Sequence, residues 1–378
     1  MRILMTADAV GGVWTYALEL VRALEPHGVA VVLATMGPLP GASQRNEAQQ
    51  LSNLQLVESS FKLEWMDEPW HDLERAGEWL LELESSTQPD VIHLNGYVHG
   101  ALPRRAPLLV AGHSCVLSWW QEVKGEDAPA TWNRYRDAVR RGLHSADLVA
   151  APTQAMLDML CRNYGELSST RVVPNGREET LFSPVEKKPY ILSAGRLWDE
   201  AKNLSALNAV AAQLHWPIYV AGDAQHPRDA QHPQEAQQSG GVGIQSLQVN
   251  ALGKLPQNEL RHWMAEAAIY ALPARYEPFG LSALEAALSG CALVLGDIAS
   301  LREVWQDAAL FVPPDDHEAL AAALQSLIDD ELQRITMSER ALARALQFSA
   351  AHMAQNYFQI YTQLKNCPTR RQGLPLSV

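Results

Sequence analysis

The sequence predicts an α/β protein made of two doubly wound parallel sheets that face each other across a cleft. Three observations carry this expectation. Short apolar runs alternate with helical patterns along the whole chain. A turn-rich linker divides that alternation into two similar halves. The chemistry-bearing residues fall just after strand-like runs, where open α/β sheets place their ligands.

The apolar runs of the first half lie at 3–5, 29–34, 91–94, 108–111 and 148–151, and those of the second at 190–193, 218–221, 269–272, 292–295 and 310–312. Runs of three to six mainly apolar residues with no polar alternation fit strands buried on both faces. Between the halves, Val172-Val-Pro-Asn-Gly-Arg-Glu-Glu-Thr-Leu-Phe-Ser-Pro184 carries Asn-Gly and two prolines, which mark turns. This sets a first domain over 1–182 and a second over 183–353. A helix follows over about 354–365, with Met353, Tyr357, Ile360, Tyr361 and Leu364 at helical spacing. Ala224-Gln-His-Pro-Arg-Asp and Ala230-Gln-His-Pro-Gln-Glu repeat a low-complexity pattern, so 224–241 reads as a mobile surface loop and His226 and His232 as loop residues. The tail 366–378 reads as disordered.

The chain has 378 residues with 47% apolar content, enough for two full cores. Four cysteines without framework or C-x-x-C spacing fit a reduced cytoplasmic setting and disfavour structural zinc. No apolar stretch approaches the ~18 residues of a membrane span, and the N-terminus does not read as a signal peptide. A net charge of −13 disfavours nucleic acid as a partner. Arg134, Arg136, Arg140 and Arg141 cluster on an expected helix, but Glu126, Asp127 and Asp137 offset them. Membrane association is therefore disfavoured without being dismissed.

The most informative stretch is Glu277-Pro-Phe-Gly-Leu-Ser-Ala-Leu-Glu285, at a strand-to-helix junction. Two carboxylates suit sugar hydroxyls, and the amides of Phe279, Gly280 and Leu281 are candidate donors to a phosphate. Ser282-x-x-Glu285 is equally a capping box, so the residues alone leave Glu285 between ligand and cap. Gly11 and Gly12 follow the first strand and permit close approach of a bulky anion, although a lone Gly-Gly is also an ordinary turn. Arg196 and Lys202 place two cations on one loop. They suit a leaving diphosphate, or else surface ion pairing with Asp199 or Glu200. His113 ends an apolar strand, and Asn175-Gly176 form a turn. No D-x-D loop indicates a divalent metal, and no cofactor is expected.

The segment 274–294 resembles the E-x7-E region of the family-4 retaining glycosyltransferases of GT-B fold. The resemblance implies that Glu277 binds donor-sugar hydroxyls and Glu285 the nucleotide ribose. It further implies that Gly11-Gly12 faces the donor phosphate and that Gly-Arg196-x-x-x-x-x-Lys202, with a slightly lengthened gap, is the diphosphate loop. His113 would lie beside the donor sugar, Asn175 and Gly176 would match the hinge turn, and the final helix would cross back to the first domain. The implied reaction moves a sugar from a UDP- or GDP-sugar co-substrate to the hydroxyl of a small-molecule or saccharide acceptor, with retained configuration. A sugar-nucleotide epimerase and a non-catalytic nucleotide-sugar-binding protein remain as alternatives. Trp119 and Trp120, adjacent on the acceptor side, cannot both face one core, so one is expected to line the cleft.

Overall fold

A computed structural model describes residues 1–223 and 248–366. The 224–241 loop with His226 and His232, and the tail beyond Asn366, lie outside the described residues.

The first sheet has seven parallel strands: β1 (Arg2–Asp8), β2 (Ala30–Met36), β3 (Leu54–Glu58), β4 (Val91–Leu94), β5 (Leu108–Ala111), β6 (Leu148–Ala151) and β7 (Thr170–Val172), in the order β3-β2-β1-β4-β5-β6-β7. The second has six: β8 (Lys188–Ala194), β9 (Ile218–Ala221), β10 (Asn250–Gly253), β11 (Ala267–Leu272), β12 (Ala292–Gly296) and β13 (Leu310–Val312), in the order β10-β9-β8-β11-β12-β13. All pairings are parallel, for instance Ile3 opposite both Val31 and Val91, and Ile269 opposite both Ile191 and Ala292.

Central strands such as β11 (AAIYAL) and β12 (ALVLG) are buried at every position, which is why their sequences run apolar without alternation. Three strands carried no such signal. β3, β7 and β10 lie at sheet edges, where Leu54-Gln-Leu-Val-Glu is half-exposed and Thr170-Arg-Val and Asn250-Ala-Leu-Gly are short.

Both sheets reverse their order of winding once, between β1 and β4 in the first and between β8 and β11 in the second. At such switch points the loops leaving neighbouring strands diverge and leave a crevice. The loops after β1, β8 and β11 carry Gly11-Gly12, Arg196 with Lys202, and Glu277.

The helix Ala350–Asn366 runs longer than the expected 354–365 and returns to the first domain. Met353, Ala354, Tyr357, Ile360, Tyr361 and Leu364 share one buried cluster with Trp14, Tyr16, Ala17, Leu20 and Leu24 of the helix Gly12–Leu24. The chain crosses next to the linker: Arg177 N–H donates to the Phe348 carbonyl at 3.0 Å and Ala350 N–H to the Arg177 carbonyl at 3.0 Å. A Cβ at Gly176 would stand 2.2 Å from the Ser349 carbonyl oxygen, so the returning chain itself requires glycine there.

Candidate active site

The loop after β11 turns at Gly280, whose φ of 90° places it in the left-handed region, and releases the helix Leu281–Leu288. Glu277 lies in that turn. One of its carboxylate oxygens accepts from the Gly280 N–H at 3.0 Å and the other forms a tight ion pair with Lys202 Nζ. One of the three amides expected to meet phosphate is therefore engaged by Glu277 itself. Ser300 Oγ donates to the Glu277 carbonyl at 2.5 Å and fixes the turn from below.

The capping-box alternative is not what the geometry contains. Glu285 stands in the second turn of the helix, not its first, and Ser282 Oγ meets the Tyr270 hydroxyl at 2.8 Å. Glu285 instead pairs with Arg177 Nε at 2.9 Å. Arg177 is only 4% exposed, and its guanidinium also pairs with buried Glu19 of the helix Gly12–Leu24. Burial pushes the carboxyls of Glu285 and Glu19 above the usual range, and the Arg177 charge opposes that rise in both. No periodic pattern marks this triad in the sequence. Its clue was Arg177 directly after the Asn175-Gly176 turn, a cation in a segment too constrained to be free surface. Asn175 is buried beside it.

On the β8 loop, Arg196 pairs with Asp199 at 2.8 Å, as the ion-pair alternative for that arginine expects. Lys202 pairs with Glu277 and not with Asp199 or Glu200. Burial alone would raise the Asp199 carboxyl. Arg196, Lys202 and the Trp119 indole outweigh it and hold the group below the ordinary carboxylate range. Trp119 Nε1 donates to Asp199 Oδ1 at 3.0 Å across the cleft, and Lys124 pairs with Glu200 at 2.7 Å beside it. Trp119 and Trp120 meet edge to face and both are half-buried. They belong to the helix Val116–Trp119 and the π-helical turn Trp120–Lys124 that follows it.

The glycines of the β1 loop meet the second domain. A Cβ at Gly11 would lie 3.8 Å from Arg196 Nη1, and one at Gly12 would lie 3.5 Å from Leu281 Cδ1. Asp8, at the end of β1, accepts from Val10 N–H at 2.9 Å and shapes this turn. Thus Gly11, Gly12, Arg196 and Leu281 converge across the cleft, with Lys202 and Glu277 paired on the loops of the second sheet. Phe279 is not cleft lining through its ring: it is buried, edge-on to Phe348 at 5.6 Å. His113 keeps to the first domain. Its ring packs edge-on against Tyr16 at 4.4 Å, and its Nε2 meets Asn95 Oδ1 at 2.8 Å. Burial pushes the imidazole down to about 4, so it is neutral at physiological pH.

Among the described residues, no group of three or more His, Cys, Asp or Glu side chains is placed to hold a metal ion, and no helix is long and apolar enough to cross a membrane. The four arginines of the helix Asn133–Ser145 are exposed. Arg136 pairs with Asp137, and Arg134 stacks on Trp70 at 4.1 Å.

Two parallel sheets facing across a cleft, with Arg196, Lys202 and Glu277 on the switch-point loops of the second and Gly11-Gly12 on that of the first, form the architecture of a GT-B glycosyltransferase. Residues 10–180 match the family model described as Glycosyltransferase Family 4, and residues 188–330 match Glycosyl transferases group 1. The two matches together take in both sheets, and the chain belongs to this family of glycosyltransferases.

Among curated relatives, a D-inositol 3-phosphate glycosyltransferase of Nocardioides sp. is 26% identical over 414 aligned residues, covering 95% of this chain and 86% of the relative. The O-antigen chain mannosyltransferase B of Escherichia coli is 41% identical over 108 residues, a match that spans 28% of each chain. Sucrose-phosphate synthase from Thermosynechococcus elongatus superposes with a TM-score of 0.78 at 21% identity, over 96% of this chain and 99% of that one. Anabaena HepE in complex with UDP-glucose superposes with a TM-score of 0.74 at 19% identity, over 96% and 100%. At these identities the structural likeness is one of fold.

Proposed function

We propose that the chain transfers a hexosyl group from a nucleoside diphosphate sugar to an acceptor hydroxyl with retention of anomeric configuration. The observation that carries this reading is the convergence of Arg196 and Lys202 with Glu277 on the donor side, opposite the Gly11-Gly12 turn. In the Michaelis complex the diphosphate draws Lys202 and Arg196 from their carboxylate partners, and donor hydroxyls take the oxygen of Glu277 that Lys202 releases. The same two cations then stabilise the negative charge that grows on the leaving phosphate as the glycosidic bond breaks. They supply at the diphosphate the positive charge that a divalent ion supplies elsewhere, so transfer proceeds without added metal.

One oxygen of Glu277 stays on the Gly280 N–H while the other turns from Lys202 to the donor hydroxyls, an arrangement that suits a binding group better than a nucleophile. Retention then follows from attack on the face the leaving group vacates, with a phosphate oxygen accepting the acceptor's proton. Glu285, held by Arg177, meets the ribose hydroxyls. The crystallised HepE complex with UDP-glucose favours a uridine diphosphate donor, and the curated D-inositol 3-phosphate glycosyltransferase favours a polyol acceptor. Cytoplasmic action fits the origin of such donors.

The test mixes the protein with UDP-, GDP- and ADP-sugars and candidate acceptors in the presence of EDTA, follows release of the nucleoside diphosphate, and reads the product anomer by NMR. An inverted product would overturn retention. Epimerised donor with no transfer would replace the reading by that of an epimerase.

A further inference from the structure

His113 carries one nitrogen whose role is fixed by a neighbour outside the family motifs. Asn95 lies at the end of β4, on the first-domain side of the crevice between β1 and β4. Its Nδ2 is 2.7 Å from the carbonyl oxygen of Thr6, and its own N–H donates to Thr6 Oγ1 at 2.9 Å. A backbone carbonyl can only accept, so the amide nitrogen must face Thr6 and the amide oxygen must face the other way. That oxygen is the atom 2.8 Å from His113 Nε2, and it too can only accept. Nε2 must therefore carry the proton, and in the neutral ring Nδ1 must carry the lone pair. Nδ1 makes no hydrogen bond among the described residues.

The surroundings hold this arrangement. Tyr16 packs edge-on against the His113 ring, and its hydroxyl reaches toward His93 Nε2 at 3.5 Å. His93 in turn meets the Tyr361 hydroxyl at 2.7 Å from the returning helix. His93 is itself neutral, pushed down to about 3 by burial and by the neighbouring His113. The groups that face the two imidazoles are hydroxyls and an amide.

We propose that Asn95 is a positioning residue that locks His113 in the Nε2–H tautomer, so that the ring offers the donor sugar a hydrogen-bond acceptor and selects for a hydroxyl at the contacted carbon. This rests on the nucleotide-sugar reading above only for what His113 touches; the tautomer itself is a property of the free protein. A hydroxyl that must donate to His113 has a chemical signature. A fluorine at the same carbon, which accepts only weakly and cannot donate, should be rejected, and an imidazole forced to present N–H should lose the preference.

The experiment uses the full chain labelled with [15N]histidine, with the His113 signals assigned by their loss in His113→Gln. Long-range proton–nitrogen spectra are expected to show an unprotonated Nδ1 and a protonated Nε2 in the wild type, and a mixture of tautomers in Asn95→Leu. A wild-type Nδ1–H ring overturns the proposal whatever the enzyme's substrate. Asn95→Asp places a carboxylate against Nε2, which stabilises the imidazolium and raises its pKa. Transfer from the donor found in the nucleotide-sugar panel should then fall about tenfold on acidification from pH 7.5 to 6, where the wild type stays flat. Affinity for the bare nucleoside diphosphate should be unchanged, and rates for monofluorinated donors in the wild type should drop selectively at one carbon. A pH profile of Asn95→Asp that superimposes on the wild type, with circular dichroism showing it folded, refutes the assignment. Absence of transfer in the wild type with the Nε2–H tautomer intact would instead count against the nucleotide-sugar reading.

Discussion

Replacing Arg177 by methionine should destabilise the protein strongly at pH 7.5 and much less at pH 5.5. Arg177 lies between two carboxylates, Glu19 at 1% and Glu285 at 13% side-chain exposure, and stacks on Phe182 at 5.4 Å. Methionine keeps the volume and the apolar contact but removes the one charge shared by both acids. Breaking a buried ion pair from one side costs about 3–5 kcal/mol, and Glu19 would keep only the half-exposed Arg22, at 3.5 Å.

Burial already holds both carboxyls above the ordinary value of 4.5, and Arg177 is the largest opposing influence. In the variant both native-state values rise further. Between 4.5 and those values the native chain binds more protons than the unfolded chain, so stability falls as pH rises through the window and returns on acidification. Unfolding followed by circular dichroism at both pH values should give a loss of about 3–5 kcal/mol at pH 7.5, or a fall in Tm of roughly 10 °C, shrinking to about 1–2 kcal/mol at pH 5.5. An equal loss at the two pH values, or a loss below about 1 kcal/mol at the higher one, would refute the description of this triad as a charge-compensated unit.

Three further outcomes follow from the same geometry. Glu277→Ala should lower transfer strongly while leaving affinity for the bare nucleoside diphosphate nearly unchanged, and Arg196→Ala or Lys202→Ala should each reduce turnover by about two orders of magnitude; steady-state kinetics beside calorimetric binding checks both, and wild-type turnover in Arg196→Ala contradicts the diphosphate role. Trp119→Phe deletes the indole bond to Asp199 but keeps the aromatic face. It should therefore perturb donor-side kinetics through Asp199, whereas Trp119→Ala should additionally raise acceptor KM; unaltered acceptor kinetics in the alanine variant removes Trp119 from the acceptor site. His93 is held down to about 3, below its unfolded 6.5, so the unfolded chain binds the extra proton and stability is lost as pH falls from 6.5 toward 3. That loss is on the order of 3–5 kcal/mol, and urea midpoints against pH should flatten in His93→Asn.

The central strands and the placement of the motif loops were legible because a strand buried on both faces leaves an unbroken apolar run, and 269–272 or 292–295 cannot be read otherwise. β3, β7 and β10 were not legible, since an edge strand half in water needs no such run. In the candidate site, Glu277, Arg196 and Lys202 announce themselves by charge in a turn. Their pairing does not: nothing in the spacing says that Lys202 selects Glu277 over the nearer Glu200. The Ser282-x-x-Glu285 pattern shows the converse failure, in which a correct local signature is overridden by tertiary partners, Tyr270 for the serine and Arg177 for the glutamate. Glu19 and Asn95 were invisible. A carboxylate within an amphipathic helix and an asparagine after a strand look like surface residues until the second domain and the β1 chain close over them.

The helix Ala350–Asn366 has a temporal consequence. The apolar face of the helix Gly12–Leu24, near the start of the chain, is covered by residues made only after the entire second domain. At about 5–20 residues per second, the ribosome needs on the order of 10–40 s to travel from the linker to that helix. Throughout that interval the helix Gly12–Leu24 lacks the partner helix that packs on it in the finished protein, while the second half can complete its own core. The half made first is thus the half finished last, and a chain stopped before residue 350 would release a folded donor domain tethered to an incomplete partner.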